Sequence, residues 1–301
     1  MKQEEKPRDM KEMTILEHLI ELKNRVKVIL ITVGVLTLAM MVVPAELRFD
    51  IEFLMAYKPL VSLILDMIRS YVMPEGMRLI GLTITSPLEI YFIASLAFGL
   101  IFASPVIAYE IYMYVDPALY PHERRLIYPF MASFIALFVA GVLFGYFIIT
   151  PFTFKAMLIF FSLTGAEAVI HVIDFYNTIF IITVATGAVF TTPVILVLLV
   201  RVGLIGTDII TRNRKYIYGI AYIVAAIITP DGGMFTNLFL LAVFIVLIEG
   251  AVIVARRYEK RRMEAEETIT SSREIQVNRC KFCGGELQGQ IFCPECGRAQ
   301  K

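Results

Sequence analysis

The chain alternates between long uncharged apolar blocks and short charged ones. Leu96 to Tyr109 and Leu126 to Phe154 carry no charged side chain, and between them lies Asp116 to Arg125, which reads DPALYPHERR. Charged groups are costly at a bilayer centre, so this loop belongs at a membrane surface and the blocks beside it read as spans. The pattern predicts six spans, at 26–43, 88–114, 126–149, 175–200, 216–229 and 234–255. Pro44 and Pro151 close the first and third, and Pro105 and Pro193 kink the second and fourth. Ahead of the first span, Ile15, Leu16, Leu19, Ile20 and Leu22 form one side of an amphipathic helix, with Thr14 and Glu17 spaced as a capping box. In the outer segment 45–87, Phe53, Leu54, Tyr57, Leu60, Val61, Ile64, Leu65 and Ile68 recur at helical spacing, which predicts an interfacial helix. A second outer segment is expected at 152–174. The fifth span has 14 residues and rises about 21 Å against a hydrocarbon core of about 30 Å. With the sixth it predicts a short hairpin that thins the bilayer locally.

Composition and charge sharpen this picture. Of 301 residues, 58% are hydrophobic and 18% charged, and the mean hydropathy of +0.73 places the chain among polytopic membrane proteins. The net charge of +1 says little, because orientation follows where the basic residues lie. Lys23, Arg25 and Lys27 precede span one, Arg124 and Arg125 follow span two, and Arg201, Arg212, Arg214 and Lys215 follow span four. Arg256, Arg257, Lys260, Arg261 and Arg262 follow span six. With six spans all of these share one side, so both termini are expected in the cytoplasm. No cleavable signal peptide is expected, because the first apolar run begins after about 25 polar residues. The expected organisation is an N-terminal amphipathic segment (1–25), a six-span core (26–255), a charged linker (256–279) and a small tail domain (280–301).

That tail carries all four cysteines, as Cys280-Lys-Phe-Cys283 and Cys293-Pro-Glu-Cys296, each pair followed by glycine. Two such knuckles predict a closed tetrahedral zinc site with four thiolate ligands, and a reducing cytoplasm agrees with it. The tail lacks an aromatic platform or dense basic patch, so no nucleic acid is expected. In the 116–125 loop, Pro117 and Pro121 stiffen the turn and hold Glu123 beside Arg124 and Arg125. Glu123 is then either a carboxylate placed to receive a guanidinium or part of a solvated surface cluster. Glu21 is either a second such carboxylate or an ordinary helix-surface acid paired with Arg25 four residues on. Glu110 and Glu249, near inner span ends, read as snorkelling or paired with a basic neighbour, and Asp231 as a turn residue. No nucleophile with a paired base and no phosphate-cradling glycine loop is present in the sequence, so an enzyme is not expected.

Several separated motifs, in order, resemble one family. His18-Leu-Ile-Glu21-Leu-Lys23-Asn-Arg25 is similar to the N-terminal signature of TatC, the multi-spanning subunit of the twin-arginine protein translocase. Ser104 to Tyr109 and Pro117 to Arg125 resemble its second-span end and first cytoplasmic loop. Leu137 to Pro151 resembles its third span, and Thr229-Pro230-Asp231 and Glu249-Gly250 its last hairpin. The likeness covers residues 13–257 and leaves out the cysteine tail, which looks like an archaeal-type zinc ribbon.

The resemblance implies an all-α, cupped bundle in the cell membrane, with both termini inside, that binds twin-arginine signal peptides of folded cargo. It implies assembly with TatA-type single-span subunits and with copies of itself in lipid, and export driven by the proton-motive force. Carried over, Glu21 and Glu123 meet the arginine pair, with Lys23, Arg25, Tyr114, Arg124 and Arg125 around them. An arginine fork binds a carboxylate bidentately and lysine does not, so two such carboxylates would tell Arg-Arg from Lys-Lys. The chain departs from the family at Lys23, where arginine is usual, and at Tyr114, where phenylalanine is frequent. It has Thr191 and Thr192 before Pro193, where the family often has Glu or Gln, so the polar site inside the membrane is expected to be either weaker or hydroxyl-based. Two other readings compete. A secondary transporter would show repeated halves and midplane polar groups, and the span centres here are nearly free of charge. A membrane-anchored zinc-ribbon scaffold would act through its tail.

Overall fold

The computed structural model of the protein describes residues 15–44, 59–115, 127–229 and 234–277. The loop bearing Glu123, Arg124 and Arg125, the Asp231 turn, Thr14 and all four cysteines lie outside the described residues. The described chain is mostly helical: α1 (Ile15–Val42), α2 (Leu60–Val72), α3 (Ser86–Val115), α4 (Ile127–Phe144), a π-helical turn (Gly145–Ile149) and α5 (Thr150–Thr164). It continues as α6 (Val172–Phe190), α7 (Thr192–Val202), α8 (Thr207–Arg212), α9 (Arg214–Ile228) and α10 (Met234–Val277). Among the described residues, five stretches are long and apolar enough to cross a membrane: 16–42, 86–115, 128–164, 172–202 and 236–260. Helix α9, which is not among them, has 15 residues and rises about 22 Å.

Helix α1 runs without a break from the amphipathic stretch into the first span. The predicted apolar stripe is not buried: Leu16, Leu19, Ile20 and Leu22 are exposed. So are Leu30, Ile31, Val35 and Leu38 higher up, as expected of a helix whose outer side meets lipid, a solvent as apolar as leucine itself. The inner side of α1 lies along α3, where Gly99 admits Thr37 so closely that a Cβ at 99 would stand 3.1 Å from the Thr37 backbone nitrogen. A second close crossing joins α4 to α6, where Gly141 meets Phe190 and Gly187. Small residues at such points let backbones approach where no hydrophobic force presses helices together.

Three expectations are corrected by the backbone. Pro151 does not close the third span. The chain passes it through the π turn, in which the Thr150 N–H reaches back to the Gly145 carbonyl and the Thr150 hydroxyl donates to that same oxygen at 2.9 Å. A widened turn absorbs the N–H that proline lacks and relieves its ring from the preceding carbonyl, so the helix continues to Thr164. What was read as an outer segment from residue 152 is therefore mostly helix. In the fourth span, by contrast, Pro193 does more than kink: α6 stops at Phe190 and α7 restarts at Thr192. Finally, the fold is not wholly α. Arg78–Ile80 and Val169–His171 pair as parallel strands β1 and β2, with Leu79 opposite Ile170. Three-residue strands have too little periodicity to be read locally, and this pair depends on two segments some 90 residues apart.

Helix α2 follows the predicted amphipathic pattern. Val61, Leu65, Ile68 and Val72 are buried, while Leu63, Met67 and Tyr71 face outward. The buried side packs with Ile90, Ala94, Phe154, Phe175 and Ile179 in one core cluster. A second cluster joins Ile149, Ile182 and Phe190 to Ala225, Leu240 and Phe244. A third, at the opposite end from the strands, gathers Ala108, Tyr112, Phe130, Phe134 and Leu198. It fixes the C-terminal end of α3 against α4 and α7.

Candidate guanidinium site between the first and third helices

Helical spacing puts His18, Glu21 and Arg25 on one side of α1, and Glu110 and Tyr114 on one side of α3. The antiparallel pairing of the two helices brings these sides together. The Arg25 guanidinium donates from Nη2 to Glu21 Oε1 and from Nη1 to Glu110 Oε2, each at 3.0 Å. Its side chain is 24% exposed, that of Glu21 17% and that of Glu110 9%, so the trio is largely withdrawn from solvent. The His18 and Tyr114 rings stack at 4.4 Å with planes 17° apart and cover one end of it. Two carboxylates thus converge on one planar fork, the arrangement in which charge-assisted hydrogen bonds are strongest.

The trio has a formal surplus of one negative charge. Glu21 Oε2 is buried and has no hydrogen-bond partner among the described residues. A buried acceptor left open in this way favours a further donor, because its desolvation is otherwise uncompensated. Lys23 lies on the other side of α1 from Glu21 and is exposed. Glu110, which the sequence left as snorkelling or paired, is paired with Arg25 and completes the trio. Its signal was its four-residue spacing from Tyr114, but which basic residue it met depended on the α1–α3 register. Glu123, Arg124 and Arg125 lie outside the described residues, and so does Asp231.

The same rim carries two further networks. Glu249 pairs with Arg214 at 3.2 Å and accepts a short hydrogen bond from the Tyr218 hydroxyl, tying α9 to α10. Glu259 accepts from the Thr207 N–H at 3.3 Å and from its hydroxyl, holding the start of α8. Deeper in the bundle, Thr191 is buried and donates to the Ala188 carbonyl at 2.7 Å, while Thr192 is exposed. The hydroxyls buried without a partner among the described residues are those of Ser95, Thr153, Thr183 and Thr186.

A bundle of long apolar helices whose charged side chains gather at the two ends defines a polytopic helical membrane protein. The profile of the family described as Sec-independent protein translocase protein (TatC) matches residues 17–243. The chain is 34% identical over 201 residues to TatC of Aquifex aeolicus, covering 66% of this chain and 82% of that one. It is 30% identical over 257 residues to TatC of Methanocella arvoryzae, covering 83% and 96%. A crystal structure of the twin-arginine translocase receptor TatC superposes with a TM-score of 0.67 at 28% identity, over 80% of this chain and 99% of that one. The chain belongs to the TatC family: it is a membrane-embedded subunit of the Sec-independent protein translocase, a transport component rather than an enzyme.

Proposed function

We propose that this subunit is the receptor for twin-arginine signal peptides and that Glu21, together with Glu123, receives the arginine pair at the cytoplasmic rim. The observation that carries the reading is the Arg25 guanidinium held between Glu21 and Glu110. A site that already grips a guanidinium has the geometry to grip another. In this reading Arg25 is an internal guest on Glu21. An incoming arginine takes the Glu21 carboxylate, including its open Oε2, while Glu110 retains Arg25 and keeps that charge from being stranded. Tyr114, stacked on His18, walls the site, and Arg124 and Arg125, next to Glu123 in the sequence, take part in signal-peptide binding. Lysine lacks the planar fork and exchanges poorly.

The orientation is both termini inside. The rim holding Glu21 and Glu110 also holds Lys23, Lys27, Arg201, Arg212, Arg214 and Lys215, as the positive-inside rule requires of a cytoplasmic face. Helix α9 is the fifth of six crossings of the cell membrane, short enough to thin the bilayer beside it. Single-span Tat subunits assemble on this scaffold, and export draws on the proton-motive force. Because Thr191 already donates to its own helix, the hydroxyls of Thr183 and Thr186 are better placed than Thr191 for any polar role inside the membrane.

The receptor reading is tested by site-specific cross-linking from positions 21 and 123 to signal peptides bearing Arg-Arg or Lys-Lys. Capture of the Arg-Arg peptide alone is expected, and equal capture of both refutes the recognition model. The tail is a structural zinc ribbon on Cys280, Cys283, Cys293 and Cys296. Metal analysis of the purified chain is expected to find about one zinc per chain, bound until the thiolates are protonated or chelated away. A metal-free chain with four titratable thiols would end that assignment.

A further inference from the structure

An apolar groove of about 470 Å³ opens on the side of the bundle between α4, α7 and α10, away from the Glu21 site. Helix α4 contributes Phe130 and Leu137, α7 contributes Val194 and Val197, and α10 contributes Leu247 and Val254. Its volume lies in the range of about 300–1,000 Å³ usual for small-ligand sites. Its mouth is formed by Arg201 and Tyr258, with the guanidinium carbon 4.5 Å from the ring centroid. No carboxylate of the described residues forms an ion pair with Arg201. Leu198 and Val202, beside it, pack with Tyr112 and Phe130, so the mouth sits at the rim that carries Glu110.

The length of the groove selects its occupant. From Pro193 to Arg201 α7 rises about 12 Å, and from Val246 to Tyr258 α10 rises about 18 Å, close to half of a hydrocarbon core of about 30 Å. Beyond that depth the space between α4 and α6 is filled, with Phe190 packed on Phe144 at 5.4 Å between centroids, and a smaller apolar pocket of about 240 Å³ lies beside the groove against α9, lined by Val189, Val224 and Phe244. A partner helix crossing the whole bilayer would be about twice as long as this groove. A lipid tail of one leaflet matches it, and the Arg201 guanidinium at the mouth, which has no ion pair among the described residues, matches an anionic headgroup.

We propose that the groove between α4, α7 and α10 is a binding site for one anionic phospholipid of the inner leaflet, with an acyl tail in the groove and the phosphate on Arg201. Tyr258 holds the guanidinium at the height of the headgroups by cation–π contact and supplies the aromatic ring that interfacial sites favour. The site is independent of signal recognition, because none of its residues belongs to the Glu21 trio.

The test uses the purified full chain and native mass spectrometry, with phosphatidylglycerol and phosphatidylcholine of identical tails as competing probes. The parent chain is expected to retain phosphatidylglycerol about fivefold over phosphatidylcholine, the size of effect one arginine exerts near an anionic headgroup. Arg201→Gln should abolish that preference and Arg201→Lys should keep most of it. Gly250 lines the groove, and a Cβ there meets nothing within 4 Å, so Gly250→Leu has open space at its first carbon to narrow the groove and should lower retention of both lipids. Equal retention of the two lipids by the parent, or an unchanged preference in Arg201→Gln, overturns the proposal. So does a signal peptide that expels the bound lipid and fails to bind Gly250→Leu, since it would give the groove to the peptide.

Discussion

Replacing Arg25 with glutamine destabilises the chain by about 3 kcal/mol, and replacing Glu110 with glutamine in the same chain recovers much of that loss. Removing one partner of a largely buried pair leaves the other charge uncompensated, and Glu110, 9% exposed, is the more buried of the two carboxylates left behind, Glu21 at 17% being the other. The magnitude is set at the low end of the range because Arg25 keeps about a quarter of its side chain in contact with solvent. Glu110→Gln alone costs less, since Arg25 retains Glu21. The double-mutant cycle is read from thermal unfolding in detergent, with a coupling between 25 and 110 well above the few tenths of a kcal/mol seen for independent sites. Strict additivity would show that the pair is solvent-screened and that the trio is not a unit. The cycle also bears on recognition. If Arg25 is a displaceable guest, the double variant leaves the Glu21 carboxylate open to an incoming arginine, and capture of an Arg-Arg peptide is undiminished. A double variant that is stable but no longer captures the peptide would make Arg25 part of the receptor surface instead.

Gly99→Ala is expected to cost about 1–3 kcal/mol, the usual penalty for forcing atoms into a close-packed contact. The new Cβ would lie 2.5 Å from Thr37 Oγ1, 3.1 Å from the Thr37 nitrogen and 3.3 Å from its Cα. The hydroxyl is fixed by donating to the Val33 carbonyl at 2.8 Å, and two of the three contacts are to backbone, so α1 as a whole must shift from α3. Combining the change with Thr37→Ala relieves only the closest contact and should recover part of the loss. Because α1 and α3 carry the two halves of the guanidinium site, Gly99→Ala should also weaken the coupling between 25 and 110. A Gly99→Ala chain with unchanged unfolding temperature would mean that the two helices are not in contact at this point.

The helical elements were legible because their signals are local. Uncharged blocks of span length marked α1, α3, α4 and α6. The spacing of Val61, Leu65 and Ile68 marked the buried side of α2, although the expected stretch began earlier, in residues outside those described. The shortness of α9 followed from counting residues. The continuation of the third span past Pro151 was not legible. Proline is a strong local stop signal, and the π turn that overrides it is stabilised by the packing of Gly145 against Thr183 and Thr186 on another helix. The break at Thr191 also exceeded the simple kink that a single proline suggests.

For the candidate site, the sequence supplied Glu21, Arg25 and Tyr114, and left Glu110 as an acid seeking a partner. Composition, hydrophobic period and the order of motifs were enough to determine a polytopic bundle, its basic rim and its family, because each is a property of residues near one another in the chain. Which carboxylates share a guanidinium, that His18 covers Tyr114, and that Arg201 crowns an apolar groove half a membrane deep were decided only by tertiary structure. Those facts rest on the register between helices that are distant in sequence, set by glycine contacts and core packing that no local pattern encodes.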